Sequence, residues 1–575
     1  MKLRSFKLTF ILLISTSLFS LKAQSTFIPL NDDYYHLIDR LEIKRGKLTE
    51  GFQFSNRPFE RKAVIELTDS LLNSPLVRLN STDRSIIRYL RTDSNEWAND
   101  LTIPEDSTGH SATRLGASLP EADSKRNKMW KHPADLYSVR NEDVDIHVNF
   151  VTDNFVGKET HTESALWYTG RGVEIRGMIN QKLGFYTFVA DNQGTFPKYV
   201  RDYSQQYNFP GEGMTKILRT TGVDFMSARG YITFRPLKSI NVQFGHDRNF
   251  IGSGYRSLLF SDNGVPNLFV KINTQIGRFQ YTNTWHSMIN AQSPAFQNGL
   301  RHKKFAVTHR LGVNVTDNLN IGLFEAEVFN RDSTNGGFDL DYLNPIIFYR
   351  FVESYLGSSD NAVLGFDFRW LVAGKVSLYG QFVLDEFLSK YIFNSSKSWT
   401  NKWGIQGGAK YIDAFGVPGL DLQYERNVVR PYVYSHKDGG QNYVAFNQPI
   451  AHPLGSNFIE NLGIIRYRFS PKLSFYGTAM FAKKGVDLDV RNWGGNILQN
   501  YDGRVDDFGI DLLQGFKEKT NYFDLRVSYM LFHNLFLEGR FLNRKQSIES
   551  IHREQKTTMT TLGLRFNMPH RQQVF

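Results

Sequence analysis

The chain has 575 residues and carries 68 Lys and Arg against 57 Asp and Glu, a formal charge of +11 at pH 7. Only 41% of it is hydrophobic and 22% is charged, which excludes a bundle of membrane helices, because each would need an apolar run of roughly 20 residues. A membrane β-barrel stays open, since its strands are half polar and 46 Phe with 27 Tyr suit a lipid-facing wall, whereas the absence of Cys excludes disulfides, thiolate metal sites and a Cys nucleophile.

Lys2, Arg4 and Lys7 precede a mostly apolar run from Leu8 to Leu21, and small Ala23 follows. This pattern predicts a secretory signal peptide over 1–23 and hence export. A helical period follows, predicting a periplasmic helical domain over 24–94. Asn31 or Asp32 can cap a helix carrying Leu37, Ile38 and Leu41, and Gly46 ends it. Pro58 fits the first turn of a second helix carrying Val64, Ile65, Leu67, Leu71 and Leu72. Ser81, with Asp83 behind it, starts a third with Ile86, Ile87 and Leu90. Each is marginal alone and needs something to pack on. The polar segment 95–142, with Pro104, Gly109, Gly116 and Pro120, reads as a linker or irregular plug.

From 143 to 575 the period changes from 3.6 to 2. Phe523, Leu525, Val527, Tyr529 and Leu531 alternate with Asp524, Arg526, Ser528 and Met530. Leu562, Leu564, Phe566 and Met568 alternate with Thr561, Gly563, Arg565 and Asn567, and Ile240, Val242 and Phe244 with Asn241 and Gln243. Polar faces on strand after strand suit a polar lumen rather than a sandwich core. About eighteen strands of roughly ten residues can be placed, an even number. Their connections alternate between short ones, such as Asn180-Gln181-Lys182 and Ser470-Pro471-Lys472, and long ones over 195–221, 250–266, 331–360, 437–460 and 486–520. Short periplasmic turns and long outer loops are the outer-membrane pattern, with both termini in the periplasm. The expected fold is an all-β transmembrane barrel of about 18 antiparallel strands behind a small helical bundle.

No HExxH, Walker A or G-x-S-x-G motif occurs, and the 14 His lack ligand spacing, so neither an enzyme, a metal nor a cofactor is expected. Ser253 with His246 or His286 lacks a third orienting group. Lys and Arg alternate along strands rather than forming one patch, which argues against nucleic acid. Two loops stand out. Gly245–Asn263 mixes Asp247, Arg248, Asn249, Tyr255, Arg256, Asp262 and Asn263 with an apolar Leu258-Leu259-Phe260. A loop that only has to be soluble needs no such triplet, so it is expected to fold inward. Asp339–Glu353, with Asn344, Tyr349, Arg350 and Glu353, is also apolar and is expected to plug the lumen and meet the first loop there. These polar and aromatic side chains either brace the lumen or bind sugar.

The stretch Asp32-Asp33-Tyr34-Tyr35-His36-Leu37-Ile38-Asp39-Arg40-Leu41, the Gly245–Asn263 loop and Leu343-Asn344-Pro345-Ile346-Ile347-Phe348-Tyr349-Arg350 resemble the Wzi-like capsule-assembly family of Bacteroidota, to which the gliding-motility protein RemB is similar. The resemblance implies an 18-stranded outer-membrane barrel with a periplasmic helical bundle, acting without catalysis as a lectin-like anchor for surface exopolysaccharide. It implies outer-membrane lipids and surface polysaccharide as partners, with other envelope proteins beside them. Two alternatives stand with it, a component of gliding motility or adhesion and a diffusion porin. Where enterobacterial Wzi proteins carry a Trp-Gly-Pro-Gly type segment, this chain reads Phe250-Ile251-Gly252-Ser253-Gly254.

Overall fold

The computed structural model describes residues 24–98, 129–160, 162, 165–218, 221–293, 299–331, 337–346, 360–385, 397–571 and 573–575. The signal-peptide expectation over 1–23 and most of the segment 95–142 lie outside the described residues.

Eighteen antiparallel strands close into one barrel. They are β1 (Val144–Glu159), β2 (Leu166–Ile179), β3 (Leu183–Thr195), β4 (Gly222–Leu237), β5 (Ile240–Asp247), β6 (Asn267–Ile276), β7 (Phe279–Asn290), β8 (His302–Asn314), β9 (Leu319–Phe329), β10 (Asn361–Val372), β11 (Val376–Asp385), β12 (Trp403–Tyr411), β13 (Leu420–Val429), β14 (Phe458–Arg468), β15 (Leu473–Val486), β16 (Phe516–Phe532), β17 (Leu535–Ile548) and β18 (Arg553–Phe566). Closure pairs β18 with β1, from Met559 opposite Glu159 to Phe566 opposite Thr152. Below that ladder Tyr137–Arg140 pairs with β1, so the sheet starts before residue 143, inside the segment read as a linker.

Alternation sets the two faces. Leu525 is 59% exposed on the outer wall, whereas its neighbour Arg526 is 7% exposed in the lumen. Leu562, Ile465, Val156 and Phe244 face outward in the same way. No described helix is long and apolar enough to cross a membrane. Met568 departs from the expected face. The chain turns inward after Phe566, and Met568 is buried against Phe27, Tyr186, Phe188 and Tyr231.

The helical head does not stand clear of the barrel. It comprises α1 (Asp32–Arg45), α2 (Arg61–Leu72) and α3 (Ser81–Asp93). Asn31 caps α1 and Gly46 ends it at φ 71°. Helix α2 starts at Arg61 behind Glu60, three residues later than Pro58 suggested. Asn80 and Asp83 form a capping box on α3. The helices share a core of Tyr34, Tyr35, Ile38, Leu41, Val64, Leu67, Ile87 and Leu90.

Their common platform is the barrel's short-turn end. Asp39 pairs with Arg369 at 2.6 Å and with Lys410, Asp32 with Arg466 at 2.8 Å and Asp33 with Arg526 at 2.5 Å. Arg40 answers with Asp83 at 2.8 Å, Asp413 at 2.5 Å and Asp421. Burial pushes the Asp39 carboxyl up, but Lys410 and Arg369 outweigh it and hold the group at about 2. Removing one partner of such a buried pair leaves the other charge unpaired, at a cost of about 3–5 kcal/mol.

Candidate functional site

The β5–β6 connection folds into the lumen. Leu258, Leu259 and Phe260 are buried in a core with Val328, Val363, Tyr434, Tyr443 and Ile450. Gly365 on β10 makes room for them, since a Cβ there would lie 2.4 Å from Leu259 Cδ2. A buried loop must also satisfy its backbone. Here side chains of the wall and of the β13–β14 connection serve. Gln381 accepts the Leu258 N–H at 2.8 Å and donates to the Ile251 carbonyl at 3.0 Å. Glu425 accepts the N–H groups of Tyr255 at 2.8 Å and Arg256 at 3.2 Å. Tyr434 and Tyr443 donate to the carbonyls of Leu258 and Leu259 at 2.6 and 2.8 Å. The loop also joins the head in a two-residue antiparallel ladder, Asn56 opposite Ile251 and Arg57 opposite Phe250.

Between the head, this loop, β4 and the C-terminal segment lies a cavity of about 160 Å³. Of the sequence-predicted residues, Arg248, Tyr255, Arg256, Asp262 and Asn263 line it, whereas Asp247 and Asn249 do not. Asn249 is buried and accepts from Lys271 Nζ at 3.2 Å, a bracing contact. Arg256 donates to Glu460 at 3.0 Å and to the Val574 carbonyl at 2.5 Å. Sequence reasoning missed Arg57, Arg229 and Arg571, which also line it. They come from the head, a strand and the segment after β18, and no local pattern joins them. Ser253 Oγ has no hydrogen-bond partner, so no Ser–His relay with His246 or His286 forms among the described residues.

The described part of the second apolar loop, Asp339–Ile346, does not meet the first. Its described part lies on the outer wall over β7–β9, not in the lumen. Tyr342 packs on Phe329 at 4.4 Å between ring centroids, with Phe305, Phe338 and Trp285 around it. Tyr281 and Trp285 donate to the carbonyls of Pro345 and Tyr342 at 2.6 and 2.8 Å. Phe305 alternates with lumenal Lys304 and Ala306, which sets its side of the wall. Leu340, Leu343 and Ile346 stay exposed on the segment. An apolar run needs an apolar partner, and a barrel offers one on either face. Asn344 accepts the Ile346 N–H at 3.1 Å. Tyr349, Arg350 and Glu353 lie outside the described residues.

A cleft of about 260 Å³ opens at the long-loop end. After β3, helix α4 (Lys198–Tyr207) presents Tyr199, Tyr203 and Tyr207 to it, four residues apart and therefore on one face. Tyr203 packs on Phe575 in a tilted pair with ring centroids 4.3 Å apart, and its ring centroid lies 4.9 Å from that of Tyr207. Facing them are Lys484, Glu518, Arg544, Gln546 and Gln555, and Gln555 donates to Asp202 at 2.7 Å. Aromatic faces beside paired donors and acceptors suit the flat apolar faces and hydroxyl edges of a pyranose. The four-residue tyrosine spacing was readable in the sequence as a helix face.

No family model matches the chain, and no curated protein does. Solved structures do match. Wzi of Escherichia coli, an outer-membrane protein involved in group 1 capsule assembly and a carbohydrate-binding β-barrel, aligns at a TM-score of 0.55 and 12% identity over 95% of this chain and 100% of that one. OprD of Pseudomonas aeruginosa aligns at 0.40 and 12% identity over 73% and 94%. At such identity the likeness to Wzi shows a shared barrel fold.

Proposed function

We propose that this protein is a non-enzymatic outer-membrane barrel that binds surface polysaccharide at its long-loop end and holds it at the cell surface. The observation that carries this reading is the cleft in which Tyr199, Tyr203 and Tyr207 face a row of polar and charged side chains. The export signal in the sequence, the apolar outer wall and the Wzi-like fold support an outer-membrane location, with the short turns and head on the periplasmic side. The Wzi likeness also supports a capsule-type ligand. A diffusion porin fits less well, because the head, the Leu258–Phe260 loop and the C-terminal segment occupy the lumen. The test pairs a deletion strain with a Tyr203→Ala, Tyr207→Ala double variant. Both should shed polysaccharide into the medium while the variant's barrel stays heat-modifiable. Unchanged retention in the deletion strain would refute the role. Reduced colony spreading with full retention would move the protein to gliding and adhesion.

A further inference from the structure

The inner cavity is lined by five arginines, Arg57, Arg229, Arg248, Arg256 and Arg571, against three acids, Asp32, Glu212 and Asp262. Their pairing is uneven. Arg256 has Glu460 at 3.0 Å, Arg571 has Glu212 at 2.8 Å and Asp32 has Arg466 at 2.8 Å. Arg57, Arg229 and Arg248 have no carboxylate within ion-pair distance among the described residues. Arg57 is 5% exposed, rests on the rings of Phe54, Phe250 and Tyr35, and donates only long hydrogen bonds, to the carbonyls of Phe54 at 3.4 Å and Gly254 at 3.5 Å. Arg229 lies over Phe188 at 4.4 Å. Arg248 donates to the Gly211 carbonyl, and its buried Nε has no partner. Asp262 is the one lining acid without an ion pair, and burial pushes its carboxyl up although Arg248 and Arg57 pull against it.

Buried guanidiniums are normally paired, because removing a charge from water is costly. Here buried Arg57 and half-buried Arg229 and Arg248 face one cavity without a carboxylate partner, and the planar guanidinium fork suits a carboxylate. The rest of the lining adds Ser227, Asn31 and Asn263 for hydroxyls and the flat faces of Phe188 and Phe250. We infer that this cavity is a binding site for an acidic sugar, whose carboxylate sits among Arg57, Arg229 and Arg248. Pro453 and Phe575 line both cavities and form the partition between them. The site is distinct from the cleft, and the two stand or fall separately.

The experiment titrates the full chain in detergent with sodium glucuronate, glucose and inorganic phosphate, read by calorimetry. Glucuronate should bind at least tenfold more tightly than either other probe. Arg248→Gln and Arg229→Gln should each weaken it about tenfold or more. Asp262→Asn should tighten it several-fold by removing a competing carboxylate, a gain that a merely structural role would not produce. The Tyr203→Ala, Tyr207→Ala variant should leave glucuronate affinity intact. Glucuronate binding no better than glucose would overturn the inference, as would phosphate binding equally well. Arg248→Gln that stays heat-modifiable and binds like the parent would overturn it too. Loss of polysaccharide retention in the tyrosine variant with glucuronate binding intact would leave both readings standing.

Discussion

Two loops of this chain share a composition and have opposite fates. Gly245–Asn263 carries Leu-Leu-Phe among Arg, Asp and Asn and packs inside the barrel. The segment from Phe338 to Ile346 carries Leu, Tyr and Ile among Asp and Asn and packs on the outer wall. The difference lies in what each meets. The inner loop finds Gln381, Glu425, Tyr434 and Tyr443 waiting for its backbone, and Gly365 leaves a seat for Leu259. The outer segment finds Phe305, Phe329 and Trp285 on the apolar outward side of the wall. An apolar triplet therefore says that a loop is buried, and its partners say where.

The largest effect should come from emptying the inner seat. Replacing Leu258, Leu259 and Phe260 together by Ala removes three buried side chains at about 2–5 kcal/mol each, not strictly additive. The loop should leave its seat and single-channel conductance should rise while the barrel stays heat-modifiable. Unchanged conductance would mean that head and tail seal the lumen alone. Arg256→Ala comes next. It takes the guanidinium from buried Glu460, which keeps His452 at 2.8 Å and Asn427 at 2.9 Å, so the loss should stay below the about 3–5 kcal/mol of a fully stranded charge, and it should expose the loop to protease added in detergent. Tyr342→Ala is the matching test outside, with a loss of about 3 kcal/mol of local packing. Here conductance should not move, and cross-linking between an engineered Cys at Leu343 and one beside Trp285 should fall. A conductance change in Tyr342→Ala would erase the distinction between the two loops.

Much of the barrel was legible because alternation is a local signal. Leu525 and Arg526 differ in side of the wall by one residue, and eighteen such patterns with alternating loop lengths specify closure. The helix caps at Asn31, Gly46 and Asp83 were legible for the same reason. What escaped was long-range. Asp39 meets Lys410 across the lumen, Arg57 reaches a cavity that Arg571 also lines, and Met568 turns inward after an unbroken alternating run. None of these follows from neighbours in sequence. The inner loop could be foreseen to bury its triplet, but the outer one shows that the same reasoning fails to choose a face.

The smallest effect is a pH response that should divide the two loops. Lys410 holds both Asp39 of the head and, at 2.9 Å, the carbonyl of Ser253 in the inner loop. The Asp39 carboxyl lies at about 2 in the folded protein, below its ordinary 3.8. A depressed carboxylate contributes its full stability above the unfolded value and loses it as protons bind on the way down to the folded value. The contribution, roughly 2 kcal/mol, is thus complete above about pH 4 and fades between pH 4 and pH 2. Hydrogen exchange at α1 and at Ser253–Ser257 should quicken together over that window. The amide of Tyr342, which has no contact with Lys410 or the head, should keep its protection. Asp39→Asn should abolish the pH step in both inner segments at once. A step that persisted in Asp39→Asn would assign it to other carboxylates of the plug, and a parallel step at Tyr342 would mean that the two loops share one stability after all.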